Sequence, residues 1–171
     1  EREIFLESLT TIVADLEKTV MQTKPSHLKR LVICGGICTH PDIYEAIAEA
    51  GGVAVGDDLC TGQRYFDGII DEALPPVEAI AGRYIRRAVC PAKHTGITSR
   101  GENIIRTVRQ CRADGVVFLL LKFCDPHAFD YPYMREMLER ENIPSLLLEM
   151  EDQSQAAGQV QTRLETFVQI L

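Results

Sequence analysis

An α/β domain built on a four-stranded parallel sheet is the fold class this sequence predicts. Three observations lead there. Short apolar runs alternate with stretches of helical period from residue 31 to residue 171. That alternation implies parallel strands joined by right-handed crossovers. The run at 116–123, VVFLLLKF, is apolar throughout except for Lys122, as expected of a strand buried on both faces. The expected architecture is a flavodoxin-like or Rossmann-like three-layer domain with strand order 2-1-3-4. Residues 29–171 form that domain. Residues 1–28 form a helix that lies outside the alternation and either packs on the domain or links it to something upstream.

Taken in order, Phe5, Leu9, Ile12, Val13, Leu16 and Val20 recur at helical spacing, and Pro25 ends that helix. Residues 31–37, LVICGGI, form the first strand. Thr39, His40 and Pro41 open the next helix, with Pro41 suited to its first turn. Ile43, Ala46, Ile47 and Ala50 face inward, and Gly51-Gly52 stop the helix. The Gly35-Gly36 turn matches neither the dinucleotide fingerprint nor a Walker loop, so it reads as a tight turn. Residues 53–55 form the second strand, followed by a turn-rich loop, GDDLCTGQRYF. After Pro75-Pro76, Val77, Ile80, Ala81, Tyr84, Ile85 and Ala88 mark an amphipathic helix. Another begins at Arg100-Gly101-Glu102, with Ile104, Ile105, Val108 and Cys111 on one face. The central strand follows, then a helix over 131–142 presenting Met134, Met137 and Leu138. The fourth strand is SLLL at 145–148, and the last helix carries Val160, Leu164, Phe167, Val168 and Leu171.

Composition narrows the function. A net charge of −7 leaves no electrostatic footprint for nucleic acid. No apolar run approaches membrane-spanning length, and no signal peptide is visible from Glu1 onward. Six cysteines in a chain with room for a full core do not call for a disulfide scaffold. The expected setting is reducing and cytoplasmic.

Candidate site residues gather where strands end, because ligands of open α/β sheets bind outside the carboxyl ends of the strands. Cys124 follows the central strand directly, with Asp125, Pro126 and His127 after it. A soft ligand there is either functional or a core thiol. Cys38 and Cys60 also fall at carboxyl ends of strands. Three thiols on one edge suit iron–sulfur or zinc, provided that they converge. Cys34 reads as core, and so does Cys111. Cys90, followed by Pro91, belongs to no C-x-x-C motif. Asp58 and Arg64 make the loop after the second strand a plausible binding loop. The alternative there is a solvated connection.

KFCDPHAFDYP at 122–132, NIPSLLLEMED at 142–152 and QTRLETF at 161–167 resemble the closing part of 2-hydroxyacyl-CoA dehydratase and benzoyl-CoA reductase subunits. GDDLCTGQRYFDG and CPAKHTGITSRGENI resemble other segments of that family. The resemblance runs from about residue 31 to residue 171. Family subunits are longer and carry a preceding α/β domain, so this chain resembles the C-terminal domain alone.

The resemblance implies a heterodimer of two related subunits. It implies a 4Fe–4S cluster held by three cysteines, two from the preceding domain and one at the position of Cys124. Cys60 and Cys38 are less favoured co-ligands. It also implies an ATP-hydrolysing activator and an acyl-CoA thioester that is reduced to a ketyl radical, permitting dehydration or ring reduction. On this reading the isolated domain holds no cluster and is inactive alone. Asp125 and His127 are candidates for supporting the site, Asp125 more readily as the start of a turn. Arg64 and Asp58 are candidates for substrate contact, Arg64 through a CoA phosphate. The alternatives are a non-catalytic electron-relay or scaffold subunit, and a zinc-binding or flavodoxin-like binding module.

Overall fold

The computed structural model describes residues 1–22, 27–36, 43–87, 90, 96–150 and 157–171. Four strands, β1 (Lys29–Gly35), β2 (Gly52–Asp58), β3 (Gly115–Leu121) and β4 (Ser145–Met150), form one sheet. Its order is β2-β1-β3-β4, with every pairing parallel. Expected and observed topology agree. β2 is longer than VAV because Gly56, Asp57 and Asp58 stay in the ladder opposite Val32, Ile33 and Cys34. A register shift beside Leu31 and Val32 absorbs the extra residue.

Period-two alternation sorts the strand residues into two cores. Leu31, Ile33, Val117, Leu119 and Leu148 point to the face covered by α2 (Ile43–Glu49) and α7 (Ala157–Ile170). There they meet Ile43, Ile47, Leu164, Phe167 and Val168. Val32, Cys34, Val116 and Phe118 point to the other face. That face is covered by α5 (Ile97–Cys111) and α6 (Asp125–Arg140), through Ile104, Ile105, Val108, Met134 and Leu138. Cys34 is core, as expected. Cys111, the last residue of α5, lies against β2: a Cβ built on Gly56 would come within 2.9 Å of its Sγ.

Two helices beside the strand ends differ from the expected pattern. The turn-rich loop contains a short helix, α3 (Gln63–Phe66). The helix expected to begin at residue 131 begins at Asp125 and runs through Pro132. Its buried residues His127, Asp130, Met134 and Leu138 recur at helical spacing, so one continuous stripe outweighs the hydrogen bond that Pro132 forfeits. The apolar stripes of α1 (Arg2–Gln22) and α4 (Pro76–Arg86), for which the sequence names no covering surface, do not turn inward. Phe5, Leu9, Ile12, Val13 and Leu16 of α1 are exposed, as are Val77, Ile80, Tyr84 and Ile85 of α4. Only Ala79 of α4 is buried. Periodicity reports amphipathicity but does not name the surface that covers it. The expected opening of α2 at Thr39, His40 and Pro41 lies outside the described residues, as does Ala88.

Candidate functional site

Cys124 sits at the turn from β3 into α6. Its N–H donates to the carbonyl of Leu121 at 3.1 Å. Its own carbonyl accepts from the N–H groups of His127 at 3.1 Å and Ala128 at 3.0 Å. Cys124 is therefore the N-cap of α6, yet its side chain makes no capping bond. The half-buried thiol stays uncommitted while the backbone does the turning. Pro126 stands in the first turn, where its missing N–H costs nothing. Asp125, the first helical residue, is exposed, and its carboxylate lies at the positive end of the helix. Phe123, immediately before Cys124, has φ of 67° and is 94% exposed.

Beside this turn lies a buried charged cluster assembled from four elements. Asp58 closes β2, Arg64 lies on α3, Arg100 on the first turn of α5, and Asp130 on α6. Asp58 and Arg100 are each 2% exposed and Arg64 5%. Arg64 Nε stands 3.2 Å from Asp58 Oδ1. One Arg64 Nη donates to the carbonyls of Gly35 at 2.5 Å and Asp58 at 2.7 Å, tying the ends of β1 and β2 together. Arg100 reaches Asp58 Oδ2 at 3.7 Å and forms a close ion pair with Asp130. Asn103 donates to Asp58 Oδ1 at 3.4 Å. Two guanidinium groups face two carboxylates, so the formal charges balance. Burial still raises the Asp58 carboxyl above its ordinary range, against the pull of both arginines.

His127, 4% exposed, packs its Nε2 near Gly36 without a hydrogen-bond partner. Burial, reinforced by the Arg100 and Arg64 charges, lowers its pKa to about 4. The imidazole is therefore neutral at physiological pH.

The loop after β2 is folded inward. Asp57 accepts from the N–H groups of Leu59 at 3.0 Å and Gln63 at 2.8 Å. Its carboxylate lies over Gly62, where an added Cβ would come within 2.0 Å of Oδ1. The half-buried Cys60 is tied by its N–H to the Gly36 carbonyl at 3.1 Å, near the end of β1. Arg64 is thus neither solvated nor pointing outward, because its guanidinium is consumed by Asp58 and two strand-end carbonyls. Cys38 lies outside the described residues.

The structure joins the directly paired Asp58 and Arg64 to two residues not among the sequence candidates, Arg100 and Asp130. A signal for both was present. Arg100 precedes Ile104 by four residues, and Asp130 precedes Met134 by four. Each is a charge that continues an apolar stripe, and a charge so placed is buried only if partnered.

Among the described residues, no three His, Cys, Asp or Glu side chains come close enough to hold a metal ion. Cys124 fits the part of a single soft ligand for the implied cluster, being half-buried and free of other duty. The described residues do not complete a three-thiolate site.

The fold and this edge define a doubly wound α/β domain carrying an uncommitted thiol at the carboxyl end of its central strand. The chain belongs to the 2-hydroxyglutaryl-CoA dehydratase, D-component, family, which it matches over residues 1–171. It is 30% identical over 155 residues to the (R)-phenyllactyl-CoA dehydratase beta subunit of Clostridium sporogenes, covering 91% of this chain and 41% of that protein. It is 27% identical over 161 residues to the lactoyl-CoA dehydratase subunit beta of Anaerotignum propionicum, covering 94% and 42%. A benzoyl-CoA reductase subunit of Thauera aromatica is 21% identical over 142 residues, covering 81% and 37%. The chain spans about two-fifths of the length of these relatives. No helix among the described residues is long and apolar enough to cross a membrane.

Proposed function

We propose that this chain is one domain of a cytoplasmic subunit of a 2-hydroxyacyl-CoA dehydratase or benzoyl-CoA reductase-type enzyme. In this reading Cys124 supplies one thiolate ligand of a 4Fe–4S cluster whose other ligands lie outside the described residues. The family match along the whole chain supports the enzyme class. One observation carries the ligand assignment: the Cys124 thiol stands at the carboxyl end of the central strand and makes no capping bond. The partners are a second related subunit, an ATP-dependent activator and an acyl-CoA thioester. When bound, the cluster would supply single-electron chemistry to the thioester. This chain's own part is to hold Cys124 in place and to form part of the acyl-CoA site. The 171 residues alone hold no cluster and do not turn over substrate.

Cys124→Ser in the full-length subunit, assembled with partner and activator, tests the assignment. Serine offers a hard oxygen that cluster iron accepts poorly. Iron content, visible cluster absorbance and turnover should fall together while far-ultraviolet circular dichroism is kept. Cys111→Ala removes only packing against β2, about 1 kcal/mol, and should keep the iron. Full iron and normal turnover in Cys124→Ser would overturn the assignment.

A further inference from the structure

Asp58, Arg64, Arg100 and Asp130 carry charge into the interior of a domain built on two apolar core clusters. Buried ion pairs of this kind are weak evidence for stability, because well-packed apolar residues often serve as well or better. The cluster also leaves polar atoms unsatisfied: Asp58 Oδ2, Arg64 Nε, and Arg100 Nε and one Nη make no hydrogen bond of good geometry. Stability therefore does not account for it.

Its connectivity suggests another role. Arg64 binds the carbonyls that end β1 and β2. Asp58 joins Arg64 to Arg100. Arg100, on the first turn of α5, holds Asp130 of α6. Further along α6, Arg135 bonds Glu139 and Tyr131, and Arg140 bonds Glu136, all within the helix. Asp130 instead ties the amino-terminal half of α6 to α5, and Cys124 caps that end.

We infer that the Asp58–Arg64–Arg100–Asp130 network is a positioning device that fixes the Cys124 turn against the ends of β1 and β2. Its members are positioning residues. A planar guanidinium suits the task, since its donors lie in fixed directions and can hold two carboxylates at a set angle. The inference rests on Cys124 being the residue that matters at this edge. Its test reads the thiol without iron, so its failure leaves the ligand assignment standing, and the reverse holds too.

The experiment is peptide-resolved alkylation by iodoacetamide of the reduced, chelator-treated protein, with denaturant midpoints measured alongside. Arg100→Met combined with Asp130→Leu removes one charge of each sign and leaves Asp58 paired with Arg64. This variant should keep or raise the midpoint, while alkylation of Cys124 rises at least tenfold and that of the buried Cys34 does not change. Asp130→Asn keeps the shape of the site and weakens the anchor, so it decides the matter if the double variant does not fold. It should raise Cys124 alkylation severalfold with Cys34 again unmoved. An unchanged Cys124 rate in either folded variant would overturn the inference. Cys34 and Cys124 rising in parallel would overturn it as well, since that pattern reports global opening.

Discussion

Phe123 holds a left-handed backbone angle, φ of 67°, with its ring almost wholly in solvent. For a residue with a Cβ this conformation costs about 1–2 kcal/mol, and the ring recovers none of it by burial in either core. Stability of the domain therefore does not explain an aromatic at this position. Phe123→Gly should raise the unfolding free energy by about 0.5–1 kcal/mol, the relieved strain being partly offset by the greater entropy of a glycine in the unfolded chain. Urea titration of both proteins reads the difference, and a lower midpoint for the glycine variant would contradict the strain argument.

Close approach sets the terms on which the elements pack, and two glycines show it differently. Gly35 ends β1 opposite Leu119 of β3, and a Cβ there would fall 2.3 Å from the Leu119 carbonyl oxygen. That oxygen is fixed in the sheet. Gly35→Ala should cost about 3 kcal/mol and disturb the carbonyl that Arg64 binds. Gly101 sits where α5 meets α6, and its Cβ would fall 2.3 Å from Met137 Sδ. The thioether can move aside, and alanine gains about 1 kcal/mol of helix propensity. Gly101→Ala should therefore stay within about 1 kcal/mol of the parent. Thermal or urea midpoints of the two variants give the order, and a larger loss at Gly101 would refute the distinction.

The stability of the whole domain should depend on pH through His127. Its pKa falls from 6.5 to about 4 on folding, so the unfolded chain binds more protons between those values. The resulting stability is complete above about pH 6.5 and is lost as pH falls toward 4. Asp58 acts oppositely: its raised pKa favours the folded state at low pH and loses that contribution as pH rises. The comparison that isolates His127 is therefore the difference between parent and His127→Gln. The gap between their urea midpoints should narrow as pH is lowered from 7 to 4.5, and a constant gap would show that His127 does not titrate in this way. At the same scale, α1 and α4 leave their apolar stripes in solvent, in a chain that spans about two-fifths of its relatives' length.

Local pattern along the chain was enough to specify the sheet, its order and its parallel sense. A doubly buried strand must be a continuous apolar run, as VVFLLL is, and a crossover helix must carry one apolar stripe, as Ile104, Ile105 and Val108 do. These signals are local and periodic. The family was legible in KFCDPHAFDYP, and the placement of Cys124 followed from where the strand ends. Which charges are buried together emerged from three-dimensional packing alone. Asp58, Arg64, Arg100 and Asp130 come from four elements spread over more than seventy residues, and pairing at that range leaves no periodic trace. Packing likewise carried α6 through Pro132, since a local breaker is overridden only by a stripe of buried side chains that must meet the sheet. The exposed faces of α1 and α4 mark the same boundary. Periodicity states that a face is apolar, and only packed neighbours decide whether it is covered.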